Sequence, residues 1–251
     1  MIFVTGDCHG DFSRFATRMF PIQKELTRDD VVIVCGDFGI WLDSKTERYW
    51  LGWLSNKNFT VVFVDGNHEN FDRLNSDEFQ VVDFHGGKAH QIRDNIFHLM
   101  RGYVFEFEGK KFFAFGGASS HDIGDGILDR DAFDDEDEFQ QCVNRWYKEG
   151  RMFRINHKTW WAEEMPSVEE MDFGLRQLEA HNYDVDYVIT HCCPQEIASI
   201  MGFRQPDRLT NYFNTIAHSL SFDKWYFGHY HDERIIYSKF VLHYDEIERI
   251  L

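Results

Sequence analysis

The sequence lacks the features of a secreted or membrane-spanning protein. Its five cysteines are an odd number and two are adjacent, a poor disulfide framework that is typical of a reducing cytosol. No apolar run approaches the roughly 18–20 residues that cross a bilayer. Met1 leads directly into an apolar strand, without the basic and apolar segments of a signal peptide. We therefore expect a cytoplasmic protein with no membrane partner.

Lysine and arginine are scarce beside aspartate and glutamate. There are 26 basic and 43 acidic residues, and the formal net charge is −17. Such a surface disfavours nucleic acid as a partner, because binding to polyphosphate depends on Lys and Arg. Much of the acidic excess lies between Asp122 and Glu138. Its spacing differs from that of an EF-hand loop, so a solvated loop and helix start is favoured over a second cation site.

Proline is also rare, and nothing in the chain resembles a linker. There are four prolines, no tract rich in Ser, Gly and Pro, and no repeat of fixed period. Apolar residues make up 43% of the chain and aromatic residues 17%, enough for a large core. The composition predicts one domain over residues 1–251. Residues 117–165 stand out as acidic, aromatic and rich in loops, with one helix expected near 139–149.

What the chain does contain is a set of short apolar, β-branched runs. Four of them predict buried parallel strands, at residues 2–5, 31–35, 61–64 and 187–190, and a shorter aromatic run at 225–227 predicts a fifth. Helical spacing from Asp11 to Phe20 and at residues 47–56 completes a β-α-β-α-β alternation, which favours a parallel sheet.

The second half of the chain has a different order of elements. A hairpin is expected across residues 103–115, and further strands near 234–237 and 240–244. Ser167 and Glu170 form a capping-box pattern that predicts a helix to about His181, and Pro206 is expected to open a helix through Leu220. This order predicts an α/β protein with two packed mixed sheets and helices outside, in preference to one doubly wound sheet.

Polar residues with metal-binding side chains follow each of the five runs. The segments are Gly6-Asp7-Cys8-His9-Gly10, Gly36-Asp37, Gly66-Asn67-His68-Glu69, His191 and Gly228-His229-Tyr230-His231. The carboxyl ends of strands in an open α/β sheet converge on one crevice, so these residues are expected to meet. Residues two apart in extended chain face the same way, which lets Asp7 pair with His9 and His229 with His231.

The donors of these segments predict a metal centre. Seven side chains are candidate ligands: Asp7, His9, Asp37, Asn67, His191, His229 and His231. Mixed oxygen and nitrogen donors suit Mn²⁺, Fe or Zn²⁺. Seven ligands are enough for two divalent or trivalent ions that share Asp37, of which Mn²⁺ is favoured. Two-metal sites serve in-line displacement at phosphorus, with hydroxide as the nucleophile. His68 is not needed as a ligand and is therefore predicted to protonate the leaving oxygen.

The five segments, in this order, resemble the motifs of the calcineurin-like metallophosphoesterase superfamily. The motifs run from residue 6 to residue 231, nearly the whole chain. The resemblance implies a four-layer α-β-β-α sandwich with a dinuclear centre and His68 as the catalytic histidine. One ion would be bound by Asp7, His9, Asp37 and His231, and the other by Asp37, Asn67, His191 and His229.

The second segment departs from the family pattern. Protein Ser/Thr phosphatases of the superfamily typically read Gly-Asp-x-Val-Asp-Arg-Gly there, whereas this chain has Ile40 and Trp41 in place of the second Asp and the Arg. The departure disfavours protein dephosphorylation, because another group must orient His68 and bind phosphate. Four residues remain as candidates for those roles: Glu69, Arg101, His121 and Asp122.

Two functions of different classes follow from these patterns. The first is a hydrolase of phosphate esters that acts on a small phosphorylated substrate or a phosphopeptide, with monoester and diester both open. The second is a metal-binding scaffold or interaction module without turnover. The enzyme is favoured, because a scaffold has no need for all seven ligands together with His68.

Overall fold

Two large sheets and one small sheet organise the chain. The computed structural model describes all of residues 1–251. The strands are β1 (Ile2–Thr5), β2 (Val31–Val34), β3 (Thr60–Phe63), β4 (Gln80–Phe84), β5 (Gly87–Arg93), β6 (Ile96–Leu99), β7 (Val104–Phe107), β8 (Lys110–Phe115), β9 (Gly126–Leu128), β10 (Phe153–Ile155), β11 (Tyr187–Thr190), β12 (Lys224–Phe227), β13 (Arg234–Ile236), β14 (Phe240–Leu242) and β15 (Glu248–Arg249).

The helices lie mostly in the second half of the chain. The α-helices are α1 (Lys45–Ser55), α2 (Phe71–Leu74), α3 (Glu136–Lys148), α4 (Val168–Ala180), α5 (Gln195–Met201) and α6 (Arg208–Ser219). Short 3₁₀ helices occur at Ser13–Phe15, Pro21–Lys24, Arg130–Ala132 and Ala162–Glu164. No helix is both long enough and apolar enough to span a bilayer.

Both large sheets are mixed. The first has the order β15-β1-β2-β3-β6-β5-β4, with parallel pairing from β1 to β6 and antiparallel pairing at both sides. The second has the order β13-β14-β12-β11-β8-β7, in which β8, β11, β12 and β14 are parallel. The predicted parallel strands therefore divide between two sheets, three in the first and two in the second.

The sheets pack face to face, and helices cover their outer faces. Side chains such as Ile33, Val62, Ile189 and Tyr226 fill the space between the sheets. Residues buried on both faces of a sheet explain why the strand runs are continuously apolar. Helix α1 packs on the outer face of the first sheet, and α4, α5 and α6 pack on that of the second. The predicted four-layer α-β-β-α sandwich is confirmed.

Two predicted helix starts differ in detail from the structure. The helical spacing after Asp11 produces no α-helix but only the 3₁₀ turns at Ser13–Phe15 and Pro21–Lys24, because Ala16 is extended and ends the first turn. The last long helix begins at Arg208 instead of Pro206. Asp207 caps it by accepting a hydrogen bond from the Thr210 amide, which fixes where the helix starts.

Residues 117–165, called the acidic segment below, contain more regular structure than the sequence indicated. Strands β9 and β10 pair in parallel, and α3 packs on them around a small separate core that includes Leu128, Phe139 and Phe153. Asp135 caps α3, and the acidic residues that follow lie exposed in its first turn. Negative charge at a helix N-terminus is favourable, so the acidic run is a solvated helix start, as the sequence predicted.

Candidate metal centre and active site

The five strand-end segments meet where the two sheets come together. His191, at the end of β11 in the second sheet, places Nε2 3.3 Å from Asp37 Oδ2 at the end of β2 in the first. The same nitrogen is 3.2 Å from Asn67 Oδ1. His231 Nε2 lies 3.1 Å from Asp7 Oδ2 and 3.2 Å from His9 Nε2. Side chains separated by more than 200 residues thus converge within reach of one another.

Two overlapping groups of donors could each hold a metal ion. The first comprises Asp7, His9 and His231, and the second Asp7, Asp37 and His191, with the donor atoms of each group within 4.8 Å of one another. Asp37 also approaches the first group, since its Oδ2 lies 3.8 Å from His9 Nδ1. The family resemblance makes Asp37 the shared ligand, whereas the structure brings Asp7 into both groups.

His229 lies at the edge of this cluster. Its ring centroid is 4.9 Å from that of His191, and its Nε2 is 2.7 Å from His121 Nε2. Metal-binding histidines commonly use their second ring nitrogen for an outer partner, and His121 is in that position. The structure therefore brings all seven predicted ligands into one site, with Asn67, His191 and His229 forming one side of it.

The backbone turns sharply at four of the ligands. His9, Asp37, His229 and His231 all have positive φ, between 44° and 70°. Side-chain-bearing residues rarely adopt this conformation, and it concentrates at functional sites where the surroundings enforce it. The strained turns direct the side chains of neighbouring residues into the crevice between the sheets.

Close packing against glycine positions the two carboxylates. The amide of His229 donates to Asp7 Oδ1 at 2.9 Å, and the amide of His68 donates to Asp37 Oδ1 at 2.8 Å. A Cβ on Gly228 would collide with the Asp7 carboxylate, and one on Gly66 with that of Asp37. The glycines that precede the ligands in these motifs therefore leave room for a carboxylate from another strand.

Arg14 is a supporting residue that sequence spacing did not reveal. Its guanidinium donates to the carbonyl of Asp7 at 2.5 Å, to Thr5 Oγ1 at 2.9 Å and to the carbonyl of Tyr244 at 2.5 Å. These bonds tie the loop after β1 to the C-terminal part of the chain. Arg14 thereby holds the backbone that presents Asp7 and His9.

The electrostatics of the site suit cations. The side chains of Asp7 and Asp37 are almost fully buried. Burial alone would raise the pKa of Asp37, but the nearby His191 outweighs it and holds that pKa well below its usual range. Burial alone would lower the pKa of His191, but Asp37 and Asp7 raise it to about 10. Two buried carboxylates among imidazoles need positive charge, so the donor set fits divalent metal ions.

Thiol ligands do not contribute to this donor set. Cys8, Cys35, Cys192 and Cys193 are all buried and unpaired. Burial raises the pKa of Cys8 and of Cys193 to about 12, and raises those of the other two well above the usual value. None of them belongs to the groups of donor atoms that could hold a metal ion, so these cysteines serve as small packing residues.

His68 lies at the rim of the site, beside a cavity of about 280 Å³. The cavity is lined by His9, Gly10, Phe12, Gly39, Trp41, Ser44, Thr46, Glu47 and His68. The ring of His68 is 5.4 Å from that of His9 and 6.2 Å from that of Trp41. Burial lowers the pKa of His68. Its imidazole is thus within reach of both the metal ligands and a space that a substrate can enter.

The four candidates for orienting His68 have different partners. Glu69 accepts hydrogen bonds from the amides of Phe38, Gly39 and Ile40 and so shapes the loop after β2. Arg101 is buried against Asp65, to which it donates at 2.5 and 3.0 Å. His121 contacts His229, and Asp122 forms an ion pair with Arg154. Asp122 is the one of the four that pairs with an arginine of the acidic segment.

Sequence reasoning also missed a chain of hydrogen bonds that orients Asn67. Its Nδ2 donates to Ser120 Oγ at 3.3 Å, and Ser120 in turn donates through Oγ and its amide to the Glu164 carboxylate at 2.6 and 2.8 Å. With the amide nitrogen held in this way, Asn67 Oδ1 faces His191. Ser120 and Glu164 both belong to the acidic segment, and no spacing rule relates them to Asn67.

The chain is similar to known proteins in its sequence pattern. The sequence profile of calcineurin-like phosphoesterases matches residues 1–233. Among solved structures, the chain is similar to a phosphopantetheinyl hydrolase from Mycobacterium tuberculosis, with 15% sequence identity and a TM-score of 0.46. That alignment covers 97% of this chain and 87% of the other. No curated protein matches the chain.

Proposed function

Because the chain belongs to the calcineurin-like phosphoesterase family, we propose that it is a hydrolase of phosphate esters that uses two metal ions. One observation carries the proposal: five strand ends bring two buried carboxylates, an amide and four imidazoles together beside a cavity. A fold alone has no need to bury Asp7 and Asp37 in this way, because unpaired buried charge is costly.

The metal ions would be held by the seven ligands at the sheet junction. Asp7, His9 and His231 would hold one ion, and Asn67, His191 and His229 the other, with Asp37 between them. The oxygen and nitrogen donors favour Mn²⁺, with Fe and Zn²⁺ as alternatives. Bound cations lower the pKa of water from about 15.7 toward about 7 and neutralise charge on phosphate.

The side chains of the rim act on the leaving group. We assign to His68 the proton that the leaving oxygen takes up as its bond to phosphorus breaks. Burial lowers the pKa of His68, which makes its protonated imidazole a stronger acid toward that oxygen. The cavity beside His68 would hold the leaving group, with the Trp41 ring as one wall and the hydroxyls of Ser44 and Thr46 as polar partners.

The substrate is proposed to be a small phosphorylated molecule or a phosphopeptide. The cavity of about 280 Å³ suits a small leaving group, and the net charge of −17 disfavours a nucleic acid. Trp41 lies where a protein phosphatase has its arginine, and it packs against Trp161 with ring centroids 5.6 Å apart.

Turnover of a generic phosphate ester tests the proposal. Purified protein should be stripped of metal with a chelator, reloaded with Mn²⁺ and assayed on 4-nitrophenyl phosphate and bis(4-nitrophenyl) phosphate. We expect hydrolysis of at least one ester, lost on chelation. His68→Asn should lower kcat by about 100- to 10,000-fold, the usual contribution of a general acid, with unchanged Mn²⁺ content.

The matched control is His218→Asn, which removes an exposed histidine of α6 that pairs with Glu196. This variant should hydrolyse the same esters at the wild-type rate. Two bound Mn²⁺ ions with no turnover of either ester would contradict the enzyme and favour the metal-binding scaffold. An unchanged rate in His68→Asn would contradict the assignment of His68 alone.

A further inference from the structure

The segment after β2 contains no cation for the phosphoryl group. Ile40 and Trp41 stand where protein phosphatases of the family have Asp and Arg, and Ile40 is fully buried in the outer core. Arg14 and Arg101 are occupied by backbone carbonyls and by Asp65, respectively. A phosphate that binds at this site therefore needs a cation from another part of the chain.

Arg154 is a cation of the acidic segment that is paired with a residue of the loop beside the site. It lies in the middle of β10, and its side chain is 19% exposed. Its Nε donates to Asp122 Oδ1 at 2.9 Å, and an Nη lies 2.5 Å from Asp122 Oδ2. Arg130 and Arg151, by contrast, are more exposed and pair with glutamates of the same segment. Arg154 is thus set apart by its partner and its burial.

Asp122 places this arginine at the rim of the metal centre. Three consecutive residues run along the rim: Ser120 contacts the ligand Asn67, His121 contacts the ligand His229, and Asp122 holds Arg154. The ion pair therefore ties Arg154 to the segment that contacts two of the candidate ligands.

The guanidinium keeps donors free for a ligand. A guanidinium has five N–H groups, and its planar fork matches carboxylate and phosphate geometry. Asp122 engages Nε and one Nη, and no other protein group accepts a hydrogen bond from Arg154. The two-point contact with Asp122 also prevents the side chain from swinging away. Arg154 is therefore a fixed cation with unsatisfied donors, the arrangement that binds an anion.

We propose that Arg154, positioned by Asp122, binds a terminal oxygen of the substrate's phosphoryl group and makes the site selective for phosphate monoesters. The proposal rests on the proposed function and names the substrate class. A monoester has three terminal oxygens and a charge near −2. A diester has one terminal oxygen fewer, and its charge is about one unit less negative. The third oxygen is the group that a cation at the rim can engage in a monoester only.

The experiment compares Arg154→Ala with Arg154→Lys on the Mn²⁺-loaded protein. Arg154→Ala should lower kcat/KM for 4-nitrophenyl phosphate by about 10- to 100-fold, the effect of losing a charge-assisted hydrogen bond. Its kcat/KM for bis(4-nitrophenyl) phosphate should change little, which also reports that fold and metal are intact. Arg154→Lys should recover part of the monoester activity, since it keeps the charge but not the fork.

Arg151→Ala is the matched control, because it removes an exposed arginine three residues away that pairs with Glu149. It should retain wild-type kinetics on both esters. Equal losses on the two esters in Arg154→Ala, or no loss, would overturn the proposal while leaving the phosphoesterase intact. Calorimetric titration with inorganic phosphate tests the proposal independently of turnover. Arg154→Ala should bind phosphate about 10-fold more weakly than the wild type. Unchanged affinity for phosphate would overturn the proposal.

Discussion

The strand-end loops and the acidic segment reach the same site by different means. The loops after β1, β2, β3, β11 and β12 leave strands that are buried on both faces, so the ligands they carry are fixed by the three large cores of the sandwich. The acidic segment has a small core of its own and contacts the candidate ligands through Ser120 and His121. On the proposed function, this difference separates the metal chemistry from the binding of the phosphoryl group.

This separation has a physical basis. A metal centre requires donor atoms held to within a few tenths of an ångström, which close-packed sheets provide. Recognition of the substrate can vary without disturbing that centre when it is carried by a segment that has a core of its own. If the interpretation is correct, variants in the two regions should fail in different ways.

The largest effect is expected from the strand-end region. Asp37→Asn removes a charge of the second donor group that also approaches His9 of the first. Mn²⁺ binding and turnover should therefore fall by more than the roughly 10- to 100-fold that is typical of a residue that only supports a ligand. Metal content and kcat/KM measure this loss. Asp43→Asn, an exposed residue six positions later that pairs with Arg48, is the control. Full metal occupancy with normal turnover in Asp37→Asn would contradict the assigned centre.

The second-largest effect is expected from a truncation in the small core of the acidic segment. This variant tests whether the segment folds as a separate unit. Phe139→Ala removes a buried ring from its small core, where such truncations cost about 3–5 kcal/mol. We expect faster proteolysis within residues 117–165, reduced monoester turnover and unchanged Mn²⁺ content. Tyr147→Ala, on the exposed face of the same helix, should leave all three unchanged. Parallel loss of metal in Phe139→Ala would show that the two regions are not separable.

A smaller effect, on stability, is expected where the acidic segment contacts the loop after β3 through Ser120 and Asn67. Burial raises the pKa of Glu164 from 4.5 to about 6, against hydrogen bonds from Ser120. The folded state therefore favours the protonated form, so this contribution to stability is fully present below about pH 4.5 and is lost as the pH rises through 6. The loss amounts to about 2 kcal/mol in the free energy of unfolding.

Glu164→Gln should remove that dependence. The free energy of unfolding should be measured in urea at pH 4.5 and at pH 8. Between these two pH values, that of the wild type should fall by about 2 kcal/mol more than that of Glu164→Gln. Glu163→Gln, at the exposed neighbouring position, is the matched control and should follow wild type. A difference between wild type and Glu164→Gln that does not vary with pH would contradict the raised pKa.

The smallest effect is expected on the acidic surface. Asp137→Asn lies exposed in the first turn of α3, where a carboxylate contributes less than about 1 kcal/mol through the helix dipole. Stability should fall by no more than that, while turnover and the number of bound Mn²⁺ ions stay unchanged. Loss of a bound ion in this variant would identify the run as a cation site after all.

Most of the sandwich could be predicted from local signals. The strand runs of β1 and β11 match their predicted bounds, and the capping box at Ser167 begins α4 as expected. Apolar β-branched runs and caps act over a few residues, so the sequence displays them directly. The failure at Asp11–Phe20 has the same origin, because 3₁₀ turns bury aromatic residues at spacings that also suit an α-helix.

The sequence alone determined that metal ligands would gather, because glycine-flanked Asp, Asn and His residues follow strands whose carboxyl ends must converge. The tertiary structure decided which atoms meet, with Asp7 in both groups of donors and Glu164 orienting Asn67 through Ser120. It also brought Arg154 to the rim that Trp41 leaves without a cation. Such contacts join residues far apart in the chain, and only the packing of the sheets and the acidic segment fixes their positions.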